Sequence, residues 1–331
     1  MSRFFPACLV LFLAVAAGST GTAYAQAEAG AQSLLIAPGA RSDGMGRAYV
    51  AVADDANAMW WNPGAMAFAK GHDASFMYTK LVPDLADDVY FSYLSYVQHV
   101  EGWGGLGASL GYLSYGKSLA TDQNGDPLGE FTSWEGALSV GYGTELLSNL
   151  GFGVGLKVVH VDLAPAEFTQ EQKNGAGTTF AADLGGLYKI PTLPGLQNVP
   201  AALGVTIQNL GPDISYIDVD QSDPLGRNVK LGLAVYPYSN DVFRTVLAAD
   251  FNRSLLPKSQ WEDMIYNVGT EVEFNRLIAL RLGYIYDQVG TIQDATFGLG
   301  LMFKGIRVDY ANVPQSKYLQ SVNRFSASYH F

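Results

Sequence analysis

Cysteine is nearly absent from this chain, with 1 in 331 residues, Cys8. That residue lies in an amino-terminal stretch that reads as a secretory signal. Arg3 supplies the positive start, and Phe4 to Gly18 form an apolar run too short for a membrane span. Ala23-Tyr24-Ala25 fits the small-x-small cleavage rule. The exported chain is expected to start at Gln26 and to hold no cysteine. Disulfides, thiolate nucleophiles and cysteine-ligated metals are then excluded. A lipoprotein cysteine is excluded as well, because the apolar run follows Cys8 instead of preceding it.

Positive charge is scarce. Lys and Arg number 20 against 31 Asp and Glu, a formal net charge of −11. Nucleic acid is not a partner for such a chain; divalent cations or basic protein surfaces fit better. The 4 histidines, His72, His99, His160 and His330, share no metal-ligand spacing. Long hydrophobic runs are also missing. After Ala25 none approaches the ~18 residues of a membrane helix. A soluble β-protein or a membrane barrel remains, since lipid tolerates only helices and closed barrels.

Glycine and aromatics are plentiful: Gly 37, Tyr 19 and Phe 17. From His72 onward the chain alternates with period two. Phe152, Val154, Leu156 and Val158 alternate with glycines and Lys157; Ile278, Leu280, Leu282 and Tyr284 alternate with Ala279, Arg281 and Gly283. One face is bulky and apolar, the other small, polar or charged. The glycine-rich face suits a crowded interior more than a wet surface. About fourteen such strands can be counted, and the connections between them alternate in length. The long ones suit an outer face and the tight ones a periplasmic face. The last strand, Arg324 to Phe331, alternates strictly and ends on an aromatic. These features predict an all-β transmembrane antiparallel barrel in the outer membrane of a double-membraned bacterium. Three parts are expected: a signal (1–25), a segment (26–71) that either hangs in the periplasm or plugs the lumen, and the barrel (72–331).

The plug segment has no period of two. Asp54-Asp55-Ala56-Asn57-Ala58 suits the start of a short helical turn with Asp as its cap. A lumen sized for fourteen strands needs filling. In Asn62-Pro63 the proline fixes φ and biases Asn62 towards extended backbone. Trp60 and Trp61 precede that pair and can wedge against the wall.

The order Ser33-Leu34-Leu35-Ile36-Ala37-Pro38-Gly39-Ala40-Arg41, Gly44-Met45-Gly46-Arg47-Ala48, Asp54-Asp55-Ala56-Asn57-Ala58 and Trp60-Trp61-Asn62-Pro63-Gly64 resembles the amino-terminal signature of the PorV/PorQ family, within the FadL-like superfamily. Gly305 to Ala311 and Arg324-Phe325 look similar to it too. The resemblance implies a fourteen-strand barrel with an amino-terminal hatch. It also implies a non-enzymatic part in type IX secretion, binding exported cargo or translocon partners. The alternative it carries is a FadL-like channel for long-chain fatty acids or other hydrophobic small molecules. The chain is shorter than FadL with smaller outer loops, which favours the first. The terminal aromatics Phe325, Tyr329 and Phe331 resemble the signal read by the barrel-assembly machinery.

Several motifs look chemical. Gly107-Ala108-Ser109-Leu110-Gly111 matches G-x-S-x-G but lies within a strand, with no helix after it. Gly102 to Gly107 matches G-x-G-x-x-G without a βαβ unit. Gly104, Gly105 and Gly107 instead suggest a kink or bulge in the third strand. Asp122, Asn124 and Asp126 have the first spacings of a calcium loop, but Pro127 and Ser133 depart from the pattern. A solvated acidic loop is the plainer reading, with a weak outer calcium site as the other. Arg244, Asp250, Glu271 and Arg281 fall on inward faces as candidate lumen charges. No catalytic residue, cofactor or metal centre is expected.

Overall fold

The computed structural model describes residues 29–169, 171–196, 198–218, 222–256, 263–317 and 319–331. The expected signal, with Arg3 and Cys8, lies outside the described residues. Fourteen strands close into one antiparallel barrel. In chain order they are β1 (His72–Lys80), β2 (Val89–Val100), β3 (Gly104–Thr121), β4 (Pro127–Leu147), β5 (Leu150–Ala164), β6 (Gly175–Ile190) and β7 (Ala201–Leu210). After a separate two-stranded pair, β8 (Ile214–Ser215) and β9 (Ser222–Asp223), come β10 (Asn228–Ser239), β11 (Phe243–Ser254), β12 (Ile265–Phe274) and β13 (Ile278–Asp287). The ring ends with β14 (Ile292–Phe303), β15 (Ile306–Val313) and β16 (Val322–His330). β16 closes it on β1, with Tyr78 opposite Phe325 and Asp73 opposite His330. Every strand thus pairs on both sides and no edge is left to aggregate.

Period two sorts the side chains. Leu138, Leu156, Leu231, Leu282 and Leu301 point out and are exposed, forming the apolar band a bilayer requires. Stacked rings rim that band at the long-loop end. Tyr78, Tyr90, Tyr112, Trp134 and His160 follow one another across β1 to β5 at 5.3–6.0 Å between centroids. No helix among the described residues is long and apolar enough to cross a membrane. The short turns, such as 148–149 and 304–305, mark the periplasmic or inner end.

The third strand differs from its expected form. Gly105 and Gly107 make no bulge or gap, since the ladder there is unbroken towards both β2 and β4, while Gly104, at φ +121°, pairs with Val100 of β2 alone. The register shifts higher, between Ser114 and Lys117, where Gly116 has φ +77°. The alternation flips there, so period two hides the rest of β3, which runs on to Thr121. A second irregularity separates β6 from β7 between Ala182 and Leu184, beside Asn209 at φ +61°.

Residues 29–71 run through the lumen. Gly30 forms a parallel bridge to Leu225 at the outer mouth, where Ala31, Leu34, Ile214 and Leu225 bury one another. Helix Ala40–Gly44 and helix Ala58–Trp61 lie below, and a 3₁₀ helix, Pro63–Phe68, sits at the inner end. Each is too short to be stable alone, so the surrounding wall holds them in place.

Candidate functional site

The junction between this hatch and the wall is the polar centre of the molecule. Arg41 projects from helix Ala40–Gly44 and grips Glu271 of β12 with both arms, Nε to Oε2 at 2.9 Å and Nη2 to Oε1 at 2.7 Å. Such a fork is among the stronger polar contacts in proteins. Arg281 of β13 reaches the same carboxylate at 2.7 Å and Asp309 of β15 at 2.8 Å. Arg307 bonds Glu273 at 2.6 Å. Arg244 of β11 lies 3.0 Å from Asp54 of the hatch and 3.8 Å from Glu273. Higher up, Arg324 of β16 holds Asp43 at 2.8 Å. Arg41, Glu271 and Arg281 are buried, so each charge depends on its neighbours for what water would otherwise provide.

Asp54 faces the inner vestibule and keeps 39% of its side chain exposed, although protein surrounds it. Burial pushes its carboxyl up, but Arg41 and Arg244 outweigh that and hold it down at about 2. For Asp55, burial wins over Arg41 and the carboxyl is raised. Asp55 also accepts from the Tyr49 hydroxyl at 2.6 Å and, through its other oxygen, from the Asn57 amide at 3.0 Å. Asp55 thus caps the turn that leads into the helix, its carbonyl also taking the Ala58 amide at 2.9 Å, whereas Asp54 does not. Asn57 stands at the cap of Ala58–Trp61 and makes no side-chain cap bond.

On the opposite wall the contact is apolar and glycine-lined. The hatch backbone at Pro63-Gly64 rests on Gly151, Gly153 and Gly185 of β5 and β6, and a Cβ on any of them would meet hatch backbone or the Asn62 amide. Gly105 and Gly107 receive Met66 in the same way. Gly105 and Gly107 of the third strand are therefore a seat for the hatch, whereas Gly104 faces the Gly143 carbonyl of β4.

The motif residues converge on that seat. Asn62 is extended, at φ −162°. Its amide oxygen accepts from the Gly64 amide at 3.0 Å, and its nitrogen donates to Val50 and Gly186 carbonyls at 2.9 and 3.0 Å. Pro63 opens the 3₁₀ helix. Trp61 donates to the Pro38 carbonyl at 3.0 Å, and Trp60 packs edge-on against it at 4.8 Å. Trp60 and Trp61 thus brace the hatch and meet the wall through Lys230 of β10, whose ammonium lies 4.0 Å from the Trp60 ring.

Of the four expected lumen charges, Arg244, Glu271 and Arg281 join one network. Asp250 does not. It accepts the Tyr49 and Val50 amides at 2.7 and 2.8 Å, anchoring hatch backbone. Arg41, Asp43, Glu135 and Arg324 also bind hatch to wall and were missed as site residues, as was Arg307, which joins the wall carboxylates Glu271, Glu273 and Asp309. Glu135 accepts from Gln32 and Ser33 amides at 3.1 and 2.7 Å. For Glu135 the sequence signal was charge on an inward face, whereas Arg41, Arg307 and Arg324 stood in the family-like segments without a partner being legible. Phe325 and Tyr329 face outward, and Phe331 stacks on His72 at 5.1 Å and on Tyr329 at 5.0 Å. Asp122 folds its own loop, accepting the Asn124 and Asp126 amides at 2.8 and 2.9 Å. No group of three or more candidate metal ligands gathers among the described residues.

The hatch divides the lumen. Below it is a vestibule of about 720 Å³ bordered by Asp54, Asp73, Lys189 and Arg244. Above it is a cavity of about 200 Å³ bordered by Trp60, Trp61, Lys230 and Asp250.

Among solved structures, the toluene transporter TodX of Pseudomonas putida is similar at 18% identity, covering 88% of this chain and 96% of that one, with a TM-score of 0.55. The toluene transporter TbuX of Ralstonia pickettii gives 15% identity, coverage of 89% and 98%, and 0.54. A Pseudomonas aeruginosa FadL homologue gives 12%, 88% and 98%, and 0.50. At such identities the likeness concerns the fold. No curated protein matches the sequence. Residues 24–261 match the family described as type IX secretion system protein PorV. That match covers more than half of the chain, and the chain belongs to the PorV family.

Proposed function

We propose that this outer-membrane barrel serves type IX secretion by binding exported cargo or translocon partners, with no catalytic step of its own. One observation carries the reading beyond family membership: the hatch is fastened to the wall from the outer mouth to the inner end. Glu135 takes its first turn, Arg324 and Glu271 its middle, and the glycine seat its end. A channel must move or bypass such a plug, whereas a docking platform gains from its rigidity. The second reading, a channel for hydrophobic small molecules, draws on the similarity of fold to toluene transporters. Against it, the cavity above the hatch presents Lys230, Asp250 and Asn228, polar groups that an apolar solute would desolvate.

The test uses a deletion strain and native membranes. Loss of cargo export with unchanged uptake of labelled toluene and fatty acid is expected. Crosslinked full-length protein should co-purify with an exported protein or a translocon chain. Lost uptake with normal export would replace this reading with the channel.

A further inference from the structure

The outer cavity holds polar groups that their contacts with the hatch leave only partly satisfied. Two lysines are buried in the lumen. Lys157 has a carboxylate, Asp183, at 2.7 Å. Lys230, 5% exposed, has only the faces of Trp60 and Trp61 at 4.0 and 4.8 Å, and no carboxylate among the described residues lies within ion-pair distance. Acceptors around the same space are also incomplete. Asp250 gives Oδ2 to the two hatch amides, but its Oδ1 meets no donor; neither does the Oδ1 of Asn228 or Asn252. Register brings these groups together: Lys230 lies opposite Asn252, and Gly232 opposite Asp250. Buried polar groups without partners are costly and mark places where something else completes them.

The two deficits are complementary. An ammonium without a counter-ion calls for a carboxylate, and acceptors without donors call for an ammonium. Leu35, Ala37 and Ile285 add an apolar surface to the cavity, whose lining also includes Arg47, Asn267 and Asp287. A space of about 200 Å³ equals some six or seven water molecules at ~30 Å³ each, which is small for a lipid chain. Arg227 and Leu256, at the outer strand ends, border it on the loop side.

We propose that this cavity binds a free aliphatic α-amino acid, carboxylate on Lys230 and ammonium among Asp250, Asn228 and Asn252. The site is independent of the secretion reading above; either holds without the other.

The test is calorimetry on the full-length barrel in micelles with three probes: leucine, 4-methylpentanoate, which lacks the ammonium, and 3-methylbutylamine, which lacks the carboxylate. Leucine is expected to bind at least tenfold more tightly than either analogue and to shift tryptophan emission. Lys230→Met should weaken leucine at least tenfold and leave 3-methylbutylamine unchanged, in protein that still shows the heat-modifiable migration of a folded barrel. Where Lys230→Met does not fold, Asn252→Ala at the cavity edge must weaken leucine instead. Absence of leucine binding to folded wild-type protein overturns the proposal. So does equal binding of 4-methylpentanoate, or wild-type leucine affinity in the folded variant.

Discussion

The hatch meets two walls that hold it by different physics. Towards β12–β16 the contact adds ion pairs to close backbone packing: Arg41 on Glu271, Asp43 on Arg324, with Arg281 and Asp309 behind, beside Gly269, Gly283 and Gly298 against the hatch backbone. Towards β3–β6 it is steric: glycines whose missing side chains admit the Pro63-Gly64 backbone and Met66. The ionic wall fails by subtraction, because losing one member leaves buried charge behind. The steric wall fails by addition, because packed backbone has no slack. Direction is fixed by the first and depth by the second.

Glu271→Ala should give the largest effect. It removes the carboxylate that Arg41 and Arg281 share, leaving Arg281 with Asp309 and Arg41 with Asp54 and Asp55, a loss of about 3–5 kcal/mol, read as a lower unfolding midpoint in lipid vesicles. Arg41→Met, Glu271→Leu and Arg281→Leu together should recover most of it, since a buried ionic cluster is often replaceable by apolar residues. A single variant that melts like wild type would remove the ionic wall from the account.

Gly153→Val tests the other wall. Its side chain would enter the Pro63 carbonyl, and overpacking should destabilise by about 1–3 kcal/mol. Protease should then cut the hatch while the barrel stays intact. An uncut hatch would show that the seat has room after all.

Asn62→Ala removes the cap of the 3₁₀ helix and two bonds to carbonyls. A cap of this kind contributes about 1 kcal/mol. Faster hydrogen exchange at Gly64 is expected, without loss of barrel assembly. Unchanged exchange would mean that packing alone keeps the turn.

The smallest effect concerns acid. The Asp54 carboxyl is held at about 2, below the usual range, so its pairing with Arg41 and Arg244 is fully present above the ordinary carboxylate value. It fades as pH falls through about 2. Solvent at the vestibule limits its worth to at most about 1 kcal/mol. Protection of the hatch from an acid-stable protease should hold between about pH 7 and about pH 4 and decline below. Asp54→Asn should flatten that decline, and an equal decline in the variant would assign it elsewhere.

The barrel itself was legible because period two is a local property. Alternation at Phe152–Val158 or Ile278–Tyr284 marks a strand without knowledge of its partner, and the count of about fourteen matches the closed ring. Only strand ends near a shift, such as Thr121 beyond Gly116, escaped. The candidate site was legible in part. Glu271 and Arg281 face each other across adjacent strands, so their pairing follows from alternation and a tight turn. Gly104, Gly105 and Gly107 were misread because glycine in a strand signals either a bend or a close neighbour, and nothing local separates the two.

The amino-acid sequence by itself determined which residues form strands, which face of each is apolar, and that residues 26–71 are something other than wall. Tertiary structure alone decided what the inward faces meet. Arg41 finds Glu271 across 230 positions of chain, and Asp250 turns from the charge cluster to the Tyr49 and Val50 amides. Period two assigns a side chain to the lumen but not to a height or a partner within it. Those depend on how the ring closes and where the hatch comes to rest, and both are properties of the whole barrel.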